Sequence, residues 1–138
     1  MTVKSWFANR FRTPTLGERG ERQTARFLRR SGLKVVATRR RLRYGEIDFI
    51  AVDGQTVVFV EVKTRRAEVG VTPAEAVDAL RRRRMSHAAI AFLKAHSLLG
   101  YPTRFDIVEV VWPVAARCPE IRHHPNAFPA EGHGQFFR

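Results

Sequence analysis

The run Val57-Val58-Phe59-Val60-Glu61-Val62-Lys63 restricts the fold more than any other passage of the chain. Successive residues of a strand point to opposite faces, and here both faces stay apolar until Glu61, the pattern of a central strand covered on both sides. Just before it, Ile47 to Val52 is a second β-rich run. Asp53-Gly54 between the two is a strong hairpin signal, because both residues tolerate positive φ. Two antiparallel strands are therefore predicted.

The remaining elements arrange themselves around this hairpin. Leu16, Gly20, Thr24, Phe27 and Leu28 recur at helical spacing and stop at Ser31-Gly32, which predicts a first helix over roughly residues 15–30. Leu33 to Thr38 reads as a short strand, and Arg39-Arg40-Arg41-Leu42-Arg43 as a basic crossing into Gly45. Thr72-Pro73-Ala74-Glu75 combines an N-cap, a proline at the first helical position and a capping-box glutamate, so a second helix is expected to start there. Its apolar positions, Val77, Leu80, Ala88, Ala91, Phe92 and Ala95, carry it to about His96. After Gly100-Tyr101-Pro102, Arg104 to Val111 is the last predicted strand, ended by Trp112-Pro113. The connection from Val71 to His96 is long enough to return that strand parallel to a neighbour. The fold class is α/β, a mixed sheet with helices packed on it, over residues 14–113.

The flanks read differently. Residues 1–13 hold Lys4, Arg10 and Arg12 with Trp6, Phe7 and Phe11 and no acid, as a flexible basic arm able to touch nucleic acid or a membrane surface. Residues 114–138 are rich in Pro, His and Gly and read as a flexible tail, in which His123, His124 and His133 reflect surface composition. One cysteine, Cys118, excludes an internal disulfide framework and a thiolate-rich zinc site, and a cytoplasmic location follows as the default. No stretch approaches the roughly 18 apolar residues of a membrane span, so no stable membrane insertion is expected. Lys and Arg outnumber Asp and Glu by 25 to 13, a net charge of +12. That excess calls for a polyanionic partner, with nucleic acid ahead of a membrane surface.

The candidate chemistry lies on the hairpin. A two-residue Asp53-Gly54 turn sets Val52 opposite Gln55, which places Asp48 opposite Phe59 and Glu46 opposite Glu61. Asp48, Glu61 and Lys63 then share one face, with Glu61 on the diagonal to Asp48. Two carboxylates and a lysine at the end of a buried strand suit a hard divalent cation and an activated water. Mg²⁺ fits best, and Mn²⁺ can substitute. The lysine is suited to positioning the water or neutralising charge on a phosphorane. A solvated Glu61–Lys63 pair with no chemistry accounts for the spacing equally well. Glu21 lies beside the buried stripe of the first helix and asks for a partner, or favours the helix dipole. Glu46 is a candidate supporting acid, and Asp106 reads as an anchor for Arg104.

At this point the motifs carry a resemblance. Gly45-Glu46-Ile47-Asp48 and Phe59-Val60-Glu61-Val62-Lys63-Thr64-Arg65, preceded by Gly17-Glu18-Arg19-Gly20-Glu21 and followed by Arg104-Phe105-Asp106, resemble the YraN-type bacterial family. That family is similar to archaeal Holliday-junction resolvases and to the restriction-endonuclease-like PD-(D/E)XK nucleases. The resemblance implies a three-layer restriction-endonuclease-like fold, with Asp48, Glu61 and Glu21 as metal ligands and Lys63 as the catalytic lysine. It also implies hydrolysis of phosphodiesters in structured or branched DNA, and it admits a homodimer. Ile47 stands where the superfamily pattern has proline, and Arg81 where relatives place a lysine, which keeps a phosphate contact but not proton handling.

Arginines supply the expected backbone contacts, since guanidinium groups bind phosphate oxygens bidentately. They are Arg39, Arg40, Arg41, Arg43, Arg65, Arg81 and Arg84, together with Arg22, Arg26, Arg29 and Arg30 on the first helix. The rival expectation is a nucleic-acid-binding module on the same fold without catalysis.

Overall fold

The computed structural model describes residues 12–42, 45–67, 79–114 and 116–130, and the side chains of residues 39–42 and 45–46 lie outside that description. Helix α1 (Leu16–Arg30) is followed by β1 (Lys34–Leu42), β2 (Gly45–Asp53), β3 (Thr56–Arg66), helix α2 (Ala79–Ala95), β4 (Thr103–Trp112) and β5 (Glu120–Phe128). The expected start of the second helix at Thr72, residues 1–11 of the basic arm, Arg43 and His133 fall outside the described residues.

The five strands form one mixed sheet in the order β1-β2-β3-β4-β5. Neighbours are antiparallel except β3 and β4, which run parallel across the crossover through α2. As expected of its sequence, β3 is central and covered on both faces. On one side Val58, Val60, Val108, Val110 and Trp112 pack with Leu28 and Leu33. On the other, Phe59, Phe105 and Ile107 pack with Met85, Ala88, Ala89, Phe92 and Leu93 of α2. The three layers are α1, sheet and α2, the arrangement of a restriction-endonuclease-like domain. Leu80, expected on the core face of α2, is exposed, as is Ala95.

Thr15 caps α1, its hydroxyl accepting the Glu18 N–H at 3.1 Å. The buried stripe of α1 is Gly20, Thr24 and Leu28. Gly20 lets the helix backbone close on β3, since a Cβ there would lie 1.9 Å from Thr64 Oγ1. This contact seats the first half of α1 over the strand end that carries Glu61 and Lys63.

Two sequence expectations need correction. The hairpin turn is Gly54-Gln55, not Asp53-Gly54: Asp53 pairs with Thr56, Ile50 with Phe59 and Phe49 with Val60. Gly54 has φ 61° while Gln55 has no positive φ, which is the signature of a type II′ turn with glycine first. Asp48 is therefore not opposite Phe59, nor Glu46 opposite Glu61. The pairing slips by two residues, an even number, so every side chain keeps its face.

The second correction concerns the tail, since residues 120–128 form β5, paired antiparallel to β4. Phe128 stacks on Phe105 with ring centroids 5.0 Å apart and joins the core. The strand escaped sequence reading because it is an edge, with Pro125 inside it and Phe128 alone of its residues buried.

Candidate active site

The β2–β3 ladder ends at Phe49↔Val60, and one step further the register brings Asp48 level with Glu61. The backbone N–H of Val57 donates to Pro102 on the β4 side, so by alternation the N–H of Val62 is turned toward β2. There it meets the Asp48 carboxylate, Val62 N–H donating to Oδ2 at 2.8 Å. The side chain of Asp48 thus replaces a backbone acceptor where the two strands part. The acids are closer than the diagonal relation first expected, because opposed positions lie nearer than diagonal ones.

Glu61 is buried, and its two oxygens face two cations. Arg81 of α2 donates to Oε2 at 2.8 Å, and Lys63 Nζ lies 3.5 Å from Oε1. Like charges act on Asp48 from two elements, Glu61 on β3 and Glu21 on α1. Burial is the largest influence on the half-buried Asp48 carboxyl, followed by Glu61; with a smaller push from Glu21 they raise its pKa to about 7. The Val62 N–H and Arg81 pull the other way and are outweighed.

The structure therefore brings together Asp48, Glu61, Lys63 and Arg81, while Glu21 of α1 acts on Asp48 only through its charge. Glu46 lies beyond the end of the β2–β3 ladder, and its backbone partner on β1 is Arg41. Arg39, Arg40 and Arg41 belong to β1, and their side chains lie outside the described residues, as does Arg43. Arg84 is exposed on α2. Arg65, expected to face a nucleic-acid backbone, is instead ion-paired with the buried Glu109 of β4.

The donor set suits a hard divalent cation: Asp48 and Glu61 offer carboxylate oxygens, and the mutual repulsion felt by Asp48 is what a cation relieves. Among the described residues no group of three or more His, Cys, Asp or Glu side chains is gathered tightly enough to hold a metal ion. Arg81 and Lys63 supply the positive charge at Glu61.

Sequence reading missed a second network. Asp106 is fully buried and accepts from Arg104 at 3.0 Å and from the Asn126 N–H at 2.9 Å, while His123 Nε2 lies 2.7 Å away. Burial pushes the Asp106 carboxyl up, but these hydrogen bonds outweigh it and hold the pKa below the usual carboxylate value. Arg104 also reaches Asp53 beside the hairpin turn at 2.8 Å. The anchor role expected for Asp106 is thus present, and it also ties β5 to β4. Nothing in the sequence foretold His123, because its strand had no visible periodicity.

Comparison with known proteins follows the same boundaries. The model of the uncharacterised protein family UPF0102 matches residues 20–110, from the buried glycine of α1 to β4. The chain belongs to the UPF0102 family. This is the YraN-type family that the motifs resemble. A UPF0102 protein of Rhodopirellula baltica is 41% identical over 143 residues, covering 98% of this chain and 86% of the relative. Those of Nocardia farcinica and Symbiobacterium thermophilum are 46% and 48% identical, covering 82% and 69% of this chain and 88% and 80% of the relatives. Among the described residues, no helix of this UPF0102 protein is long and apolar enough to cross a membrane.

Proposed function

We propose that this UPF0102 protein is a divalent-metal-dependent nuclease, with structured or branched DNA as its substrate. The observation that carries the reading is Asp48 set beside the buried Glu61 where the hairpin ladder ends, with Lys63 3.5 Å from Glu61 and the charge of Glu21 felt at Asp48 from α1. Mg²⁺ or Mn²⁺ held by Asp48 and Glu61 would supply a water of lowered pKa and a counter-charge for the phosphate. Lys63, partly exposed with Nζ 3.5 Å from Glu61, orients the nucleophile or neutralises charge building on the phosphoryl oxygens. Glu21 approaches from α1 and adds negative field on the side of Asp48. Arg81, at present on Glu61, is within reach of a phosphate that displaces it, a change suited to a guanidinium. The net charge of +12 favours a polyanionic substrate.

One observation favours a second reading, a nucleic-acid-binding module without chemistry. Arg81 fills the place at Glu61 where a cation would sit, 2.8 Å from Oε2. Calorimetric titration of Mg²⁺ and Mn²⁺ into the wild type and Glu61→Gln, followed by cleavage assays on labelled branched, single-stranded and duplex DNA, separates the two. The nuclease reading requires metal binding that Glu61→Gln loses, and cleavage that Lys63→Ala abolishes while DNA binding persists. Unchanged cleavage in Lys63→Ala refutes the assignment. No metal binding in the wild type, with DNA affinity that responds to salt but not to Mg²⁺, establishes the binding module.

A further inference from the structure

Helix α1 presents a second feature that neither the carboxylates nor family membership accounts for. Its outer face carries Arg22, Arg26, Arg29 and Arg30, all exposed. At 100° per residue they fall within one stripe, directly opposite the buried Gly20, Thr24 and Leu28. Among the described residues none of the four is paired with an acid.

An ordinary solvated face mixes both signs of charge, whereas like charges at i,i+4 destabilise a helix. The macrodipole favours Arg29 and Arg30 in the last turn but gives no reason for Arg22 and Arg26. The stripe also borders a groove. One hollow, of about 380 Å³, is lined by Arg12, Glu18, Glu21, Arg22, Ala25 and residues of β1 and β2. A second, of about 390 Å³, is lined by Arg22, Ala25, Arg26, Arg29 and Arg30. The two share Arg22 and Ala25, so the groove leads from the C-terminal turn of α1 to Glu21.

We infer that α1 is the docking ridge for one strand of a DNA backbone, with Arg22, Arg26, Arg29 and Arg30 on its phosphates and the strand entering the carboxylate site past Glu21. This rests on the nucleic-acid reading of the site. The spacing agrees with it: from Arg22 to Arg30 the helix rises ~12 Å, which is roughly three to four nucleotides at ~3.4 Å per residue of a strand. All four are arginine, the residue that grips phosphate oxygens bidentately. Phosphate contacts carry no base information, so the ridge sets where a strand lies and leaves sequence unread.

The test is equilibrium binding of labelled branched DNA to the full chain in EDTA, by fluorescence anisotropy across a salt series. Arg26→Gln/Arg29→Gln is compared with Lys94→Gln/Arg117→Gln, which removes the same charge from exposed positions elsewhere. Circular dichroism verifies that both variants keep the wild-type helix content. The α1 pair is expected to lower the slope of log K against log salt by about 1.8, at ~0.9 per phosphate contact, and the control pair by much less. Equal losses in the two variants overturn the proposal. So does unchanged DNA binding together with lost binding to phosphatidylserine vesicles, which assigns the ridge to a membrane surface. Because no metal is present, the slope change supports the ridge even where cleavage is absent, and the ridge fails separately if cleavage is found but the slope does not move.

Discussion

Replacing Asp48 with asparagine removes a charge that the folded protein carries unfavourably. Burial, then Glu61, then Glu21 raise its carboxyl from 3.8 to about 7 against the pull of the Val62 N–H and Arg81. The folded chain therefore binds a proton more readily than the unfolded one. The wild type loses stability as pH rises from about 4 to about 7, with the full cost present above that. A shift of this size corresponds to about 4 kcal/mol at ~1.36 kcal/mol per unit. Solvent reaching the half-buried carboxyl screens part of it, leaving roughly 2–3 kcal/mol. Asparagine keeps an oxygen for the Val62 N–H and loses the repulsion. In EDTA at pH 8 the variant is expected to melt roughly 6–9 °C above the wild type for a chain of this size. At pH 4 the gain should shrink below about 1 kcal/mol, because the wild-type carboxyl is then protonated when folded and nearly half protonated when unfolded. Thermal unfolding followed by circular dichroism at both pH values decides it. A variant that is no more stable at pH 8, or that gains equally at pH 4, refutes the account of this site as a cluster of repelling acids.

Gly20→Ala should destabilise by about 1–3 kcal/mol in urea unfolding, since the new methyl meets Thr64 and the gain in helix propensity, about 1 kcal/mol, offsets only part of the strain. An equal or higher midpoint would mean that α1 does not close on β3 there. Asp106→Asn should cost about 3 kcal/mol at neutral pH by weakening the hydrogen bonds of Arg104, His123 and Asn126. The wild-type carboxyl sits below its ordinary value, so its contribution is present above about pH 4 and is lost as pH falls through the folded value; the variant should lack that acid limb. Phe128→Ala should cost about 3–5 kcal/mol, because the ring is buried against Phe105. A loss below about 1 kcal/mol would show β5 to be dispensable.

The fold was legible wherever burial imposes a period. Val57 to Val62 announced a central strand, and the spacing of Gly20, Thr24 and Leu28 announced α1, because a core accepts only one face of each element. The turn was misread because Asp53-Gly54 and Gly54-Gln55 both offer a glycine with positive φ; which neighbour joins it depends on strand twist, not on local preference. The site survived that error because the slip was even. Had the loop changed by a single residue, Asp48 would have moved to the other face and the constellation would have dissolved. Less was legible where contacts are long-range. The pairing of Arg81 with Glu61, and of Arg65 with Glu109, joins residues whose sequence neighbourhoods carry no sign of each other. In β5 the apolar contacts are Ile121, Ala127 and the buried ring of Phe128, spaced without a clean period of two and too sparse a signal to read as a strand.

In the proposed nuclease Asp48 serves both the fold and the metal, and the choice of substitution separates the two roles. Its carboxylate takes the Val62 N–H at the point where the β2–β3 ladder ends, in place of a backbone acceptor. Removing the side chain altogether, as in Asp48→Ala, leaves that N–H without its acceptor, a penalty of about 1–3 kcal/mol when buried. Lost cleavage in that variant would therefore follow from either role. Asp48→Asn keeps an acceptor for Val62 and removes only the charge. A variant more stable than the wild type at pH 8 yet unable to bind Mg²⁺ assigns the charge to the metal site and the oxygen to the fold, a separation the alanine variant cannot make.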